Sequence, residues 1–198
     1  MALAPSRVVP LAIDITNAAS LEAAAKLAPD VALLFNNAGV LASYNLLTST
    51  KEDIAQDFST NVFGLLAATK AFLPALQRAR AKGSAALVNV LSIVSLSNMP
   101  ALGAYSASKA AAFSTTQGLR ADLAKLHIRV HGVFAGAIDT DMVRAMDMVK
   151  TSPADVAQAI IEGVEQDIED ILPDPMSRSL VELWRRDPKA LERQLGGM

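Results

Sequence analysis

The sequence predicts an α/β protein, with a mainly parallel sheet sandwiched between layers of helix. Three observations carry this expectation. Short apolar runs alternate with helical stretches along most of the chain, the pattern of strands buried on both faces. Several of these runs end in turns of small and polar residues, the composition that lets backbone approach a ligand closely. One long helical stretch carries Tyr105 and Lys109 four residues apart, which puts them one above the other on the same face.

The elements follow in order. Val8–Ile15 reads as a strand and Ser20–Leu27 as a helix. Val31–Phe35 is a short apolar run of buried-strand composition, ending in Asn36-Asn37-Ala38-Gly39. A long helix over Thr50–Lys82 contains Asn61, within Ser59-Thr-Asn-Val-Phe-Gly64. Ala85–Leu91 is a second apolar strand and leads to Ser92. A helix over Gly103–Leu126 carries Tyr105-Ser-Ala-Ser-Lys109. Ile128–Phe134 is a third strand, followed by Ala135-Gly-Ala-Ile-Asp-Thr140. Ser152-Pro153 marks a helix start, with Asp155 in the first turn, and the helix runs to Glu165. Asp170–Leu172 makes a short last strand, and Pro175–Gln194 a final helix.

The Tyr/Lys pair is the centre of the chemistry. A phenol has an unperturbed pKa of about 10 and is a poor base at neutral pH. A held ammonium favours the phenolate, and a nearby Ser hydroxyl steadies a substrate oxygen. Ser92 lies thirteen residues before Tyr105 and has the best register for that role; Ser95 and Ser97 are the alternatives. Such a set shuttles a proton between an alcohol and a carbonyl.

Taken together, the Asn-Asn-Ala-Gly turn, the helical Asn61, Ser92, Tyr105 and Lys109 resemble the short-chain dehydrogenase/reductase family over nearly the whole chain. The resemblance implies a Rossmann-like three-layer αβα fold, a nicotinamide cofactor (NAD or NADP) and hydride transfer between an alcohol and a carbonyl. It implies Tyr105 as general acid/base, Lys109 lowering its pKa and holding the nicotinamide ribose, Ser92 positioning the substrate oxygen, and Asn61 supporting a water-linked proton path. The implied cofactor-binding residues are Asp14, Asn37, Ala38, Gly39, Tyr105, Lys109, Gly136, Ile138 and Thr140.

Two features depart from the family pattern. Ala135-Gly136 stands where the family has Pro-Gly, which predicts a mild loss of rigidity. The Gly-rich turn that seats the cofactor pyrophosphate on a helix N-terminus is missing, and the ten glycines form no G-x-G-x-x-G. The family's first βαβ unit is therefore expected to be absent, with the residue that selects NAD over NADP. That leaves Val8–Ile15 without its usual neighbours, across a gap of roughly 14 Å. The sequence is a shortened version of a longer protein, or this strand slides beside Val31–Phe35, or a partner chain supplies the edge.

Composition narrows the classes. With 198 residues and 52% apolar content, residues 1–198 are expected to form one domain with a sizeable core. A net charge of −2 gives no footprint for nucleic acid or an anionic membrane. The absence of cysteine excludes disulfides and thiolate chemistry, and a cytoplasmic location is expected. No metal site is expected: His127 and His131 have a usable separation on one strand, yet no cluster of acidic residues or cysteine joins them.

Ala67, Ala68 and Ala71 in one long helix, and Ala107, Ala110, Ala111 and Ala112 in the other, permit close helix approach. By the family resemblance these helices build a homodimer or homotetramer; ordinary packing on the sheet is the other reading. Met142, Met146 and Met148 form either an adaptable apolar lid or one turn of helix facing the core. Either way the segment is short, which implies an open pocket with weak specificity. The leading functional expectation is an NAD(P)(H)-dependent oxidoreductase acting on a small-molecule alcohol or carbonyl. The alternative is a non-catalytic dimerising relic, and a hydrolase using the same side chains has no further support.

Overall fold

The computed structural model describes residues 8–198 apart from Ala145. Four strands, β1 (Leu33–Asn36), β2 (Ala86–Val90), β3 (Arg129–Val133) and β4 (Asp170–Ile171), form one parallel sheet in that order. The register pairs Leu34 with Leu87, Val88 with His131, and Val133 with Ile171. The helices are α1 (Ala18–Leu27), α2 (Lys51–Phe58), α3 (Leu65–Lys82), α4 (Gly103–Ala124), α5 (Pro153–Glu165), α6 (Pro175–Arg186) and α7 (Pro188–Gly196). The expected α/β architecture is present and the three expected strands are adjacent, but only β2 and β3 are internal; β1, expected to be central, lies at an edge of the sheet because nothing among the described residues pairs with its outer side.

Alternation along the strands makes the two faces. Leu87, Leu91, Val130 and Phe134 turn toward α3 and α4, where they meet Leu76, Ala112, Leu119 and Leu123. Val88 and Val133 turn the other way and pack with Ile171 on Val156 and Ile160 of α5. The first face also holds a buried polar ladder. Asn36 Nδ2 donates to Asn89 Oδ1 (2.9 Å) and Thr69 Oγ1 (3.0 Å), and Asn89 Nδ2 donates to Thr116 Oγ1 (3.0 Å). Every member has a partner, so the ladder ties β1 and β2 to α3 and α4 without an orphaned group.

Several expectations need correction. Val8–Asp14 forms no strand; the segment runs as irregular chain into a turn in which Asp14 accepts hydrogen bonds from the Thr16 N–H and hydroxyl. Its β-branched composition lacks a neighbouring strand with which to complete a ladder, so local propensity is overridden. Ile15 instead packs against Gly64, where an added Cβ would lie 2.7 Å from the Ile15 side chain. The Thr50–Lys82 helix is interrupted by a π-helical turn over Ser59–Gly64. The C-terminal helix is broken at Asp187, whose extended backbone is what a following proline demands, and whose carboxylate caps α7 through the Ala190 N–H (2.9 Å). His127 sits before β3 with φ 55°, off the strand, while His131 is buried with Nδ1 2.7 Å from the Ile168 carbonyl oxygen. The two do not share a strand face, and among the described residues no group of three potential ligands gathers.

Candidate active site

The carboxyl ends of β1, β2 and β3 open into one cavity of about 520 Å³. The turn after β1 contributes Asn37, Ala38 and Gly39; the end of β2 contributes Ser92; the segment after β3 contributes Gly136, Ile138 and Thr140; α4 contributes Tyr105 and Lys109. The parallel register brings these together, because all three strands deliver their C-terminal turns to the same edge of the sheet.

Lys109 is buried, with Nζ donating to the Val90 carbonyl oxygen (2.9 Å) and standing 5.9 Å from the centre of the Tyr105 ring. The pair is therefore side by side on α4, with Lys109 anchored to the end of β2. Burial lowers the Lys109 pKa to about 8, an effect that the carboxylate of Asp57 opposes. Burial likewise raises Tyr105 to about 12, with the charge of Asp57 adding to the rise. The expectation of a depressed phenol is not met: burial and the Asp57 charge both push it up, so the Tyr105 phenol is neutral across the physiological range.

Ser92 caps a short 3₁₀ turn over Ile93–Ser95, accepting from the Val94 N–H (3.3 Å), and its own N–H donates to Ser95 Oγ (3.2 Å). Of the three candidate serines Ser92 lines the cavity, while Ser95 is committed to this cap. Asn61 lies behind the wall. Its Oδ1 accepts from the Val40 N–H, and its Nδ2 donates to the Val40 carbonyl and to Ser108 Oγ, each at 2.9 Å. It thus clamps the turn after β1 onto α4. Gly39 leaves little room there: an added Cβ would lie 3.1 Å from Asn61 Oδ1, so Asn61 would have to shift. Asp14 lies away from this wall, in the turn before α1, with its carboxylate holding Thr16.

Two buried acids were not singled out in the sequence. Asp57 accepts from the Ala42 N–H (2.8 Å), the Ser43 N–H (3.2 Å) and the Ser43 hydroxyl, fixing the loop beyond Gly39. Asp174 accepts from the Gly136 N–H (2.8 Å) and from the Ser177 N–H at the start of α6 (2.8 Å). Gly136 could carry no side chain, because a Cβ would lie 2.7 Å from Asp174 Oδ1. Asp174 therefore supplies an anchor where Ala135 replaces the usual proline. The sequence marked a helix from Pro175, but neither the Asp174 cap nor its reach to Gly136 was read from it.

A parallel sheet of this order, with helices on both faces and a wide cleft at its carboxyl edge, has the geometry of a doubly wound, nucleotide-binding type of domain. The sequence profile of short chain dehydrogenases matches residues 2–150. The chain belongs to the short-chain dehydrogenase/reductase family. It is similar to an uncharacterized oxidoreductase of Staphylococcus aureus strain USA300, 29% identical over 167 residues, 81% of this chain and 70% of that protein. Among solved structures it resembles a short chain dehydrogenase from Burkholderia cenocepacia in complex with NADP. That likeness has 34% identity and a TM-score of 0.90, covering 98% of this chain and 80% of the other. A short chain dehydrogenase/reductase from Burkholderia phymatum in complex with NAD has 26% identity and a TM-score of 0.80, covering 92% of this chain and 76% of the other.

Proposed function

We propose that this cavity interconverts an alcohol and a carbonyl with NAD(P)(H), with Tyr105 as the general acid/base. The observation that carries the reading is the convergence of Ser92, Tyr105 and Lys109 in one cavity with the backbone of Asn37–Gly39 and with Thr140. The donor set fits the nicotinamide end of the cofactor: Lys109 for ribose hydroxyls, Thr140 and Ile138 for the carboxamide, and the glycine turn for close backbone approach. A nicotinamide supplies or accepts the hydride.

The chain's own residues handle the oxygen. The Ser92 hydroxyl holds the substrate oxygen toward Tyr105. Tyr105, neutral at pH 7 because burial holds its pKa near 12, gives its proton to the oxygen of a carbonyl. In the reverse direction it must first lose that proton, so alcohol oxidation accelerates as pH rises. Asn61 keeps the turn after β1 and the Tyr105 helix in register. On this reading Asp14, beyond the cavity, would serve the adenine end. The family's oligomers imply a homodimer or homotetramer through the outer faces of α3 and α4, where Ala110 of α4 and Phe63, in the π-helical turn leading into α3, are exposed. A cytoplasmic location goes with the same reading; among the described residues no helix is long and apolar enough to cross a membrane.

The sequence carries no Gly-rich pyrophosphate turn. Charged hydrogen bonds contribute roughly 1.5–3 kcal/mol each. Losing two or three weakens dinucleotide affinity about a thousandfold or more. Calorimetric titration of the 198-residue chain with NADH and NADPH tests this, and micromolar or tighter binding would refute it. Absence of both cofactor binding and carbonyl reduction, in a chain that sediments as a dimer, would instead favour a non-catalytic dimerising protein.

A further inference from the structure

Apart from Met1 and Met198, the chain has five methionines, and all five (Met99, Met142, Met146, Met148 and Met176) line the cavity that holds Tyr105. They arrive from three separate places: the loop before α4, the segment after Thr140, and the first turn of α6. Met99, Met146 and Met176 pack with Leu41 on an apolar cluster of Ile93, Val94, Leu102 and Tyr105. Met142 and Met148 are more exposed and sit at the rim. Gathering every internal methionine at one wall makes that wall apolar, polarizable and able to adapt its shape.

Charge completes the picture. Lys109 and Asp141 are the only ionisable acid or base side chains among the cavity's lining residues besides the Tyr105 phenol. Lys109 is held on the Val90 carbonyl beside Tyr105, with its remaining hydrogens turned to ribose on the proposed reading, and Asp141 is an exposed rim carboxylate paired with Arg144. The methionine residues themselves therefore offer no cation to a carboxylate or phosphate, and the rim carboxylate is already paired. An anionic group carried into this wall would lose its hydration without a partner.

Resting on the oxidoreductase reading of this cavity, we propose that its substrate is an uncharged carbonyl or alcohol with a sizeable apolar body, which the methionine wall receives and from which carboxylate-bearing substrates are excluded. The wall sets shape loosely and charge strictly, so a range of apolar chain lengths is accepted and a terminal carboxylate is not.

The test is a binding measurement that needs no cofactor. The chain is labelled with [methyl-¹³C]methionine, the methyl signals are assigned by single Met→Leu variants, and two probes of equal carbon count are titrated: decan-2-one and 9-oxodecanoate. Decan-2-one is expected to shift the Met99, Met142, Met146 and Met176 methyls saturably, with 9-oxodecanoate at least about tenfold weaker. Met142→Lys, at the exposed rim, is expected to narrow that gap by strengthening 9-oxodecanoate. Equal or tighter binding of 9-oxodecanoate to the unsubstituted chain, or no methyl shift with decan-2-one, overturns the proposal. A ketone that shifts the methyl signals, yet is not reduced by the chain supplied with saturating NADPH or NADH, counts against the catalytic reading and leaves the substrate-class inference standing.

Discussion

Two apolar stretches of this chain, Ala85–Leu91 and Val8–Ile15, have similar strand-forming compositions and opposite fates. The first becomes β2, with a strand on each side, Leu87 and Val88 fully buried, and its final turn delivering Ser92 to the cavity. The second makes no ladder, and Val8, Val9, Leu11 and Ile13 remain exposed. The first strand of the sheet, β1, is an edge strand, with Leu33 and Phe35 37% and 39% exposed. The difference teaches that β-propensity expresses fit to neighbours on a half-buried surface, not a property of the segment alone. It also separates the molecule: the candidate site opens at the ends of the packed strands, while β1 leaves an open edge on the other side.

The largest expected effect tests the packed side. In a form of the protein that reduces carbonyls, Tyr105→Phe should lower kcat/KM by about 10²–10⁴-fold, because the phenol is the proton donor. Retention of full activity would end the Tyr105 assignment. Ser92→Ala should cost less, about 10²-fold, as loss of one oxygen-holding donor does. Steady-state kinetics on the three proteins ranks them.

Next comes the contrast in stability. Leu87→Ala, at a fully buried position, should destabilise by about 2–5 kcal/mol through lost packing and the cavity left behind. Val9→Ala, at a residue 81% exposed, should change stability by no more than about 0.5 kcal/mol. Urea unfolding of both variants checks the comparison, and equal losses would show that the Val8–Ile15 segment is packed in solution.

The charge buried on α4 gives a pH signature of intermediate size. Lys109 has a folded pKa of about 8, below the 10.5 of an unperturbed lysine, so the unfolded chain binds more protons between these values. Stability therefore rises with pH from about 8 toward 10.5 as the cost of the buried ammonium is relieved, by about 3 kcal/mol in full. Tyr105 acts oppositely: its folded pKa of about 12 lies above the unfolded 10, so stability falls between those values. The net curve climbs above pH 8 and turns over above pH 10. Lys109→Met should remove the climb and keep the fall, as denaturant unfolding across pH 7–11 would reveal.

The smallest effect concerns backbone motion. Amide hydrogens of Leu87, Val88 and Val133 should exchange at rates near global unfolding, while those of Val9, Leu11 and Ile13 exchange almost freely. Hydrogen exchange followed by NMR distinguishes the two sets.

Much of the architecture was legible in the chain because its signals are local. Apolar runs at Val31–Phe35, Ala85–Leu91 and Ile128–Phe134, which contain or overlap β1, β2 and β3, the Ser152-Pro153 start of α5, and the four-residue step from Tyr105 to Lys109 all follow from short-range pattern. The placement of Ser92, Asn37–Gly39 and Thr140 in the same cavity followed from parallel strands sharing one carboxyl edge. What only the tertiary structure decided depends on burial and on contacts distant in sequence. Asp57 reaches the loop at Ala42 and Ser43, and Asp174 reaches back to Gly136, across separations that no local motif encodes. The direction of the Tyr105 shift belongs to the same class. Sequence spacing puts an ammonium beside the phenol, but the folded protein removes water from both, and burial is the largest cause of each shift. The state of Val8–Ile15 was decided in the same way: its residues favour a strand, and the neighbour a strand must bond to is set by the fold.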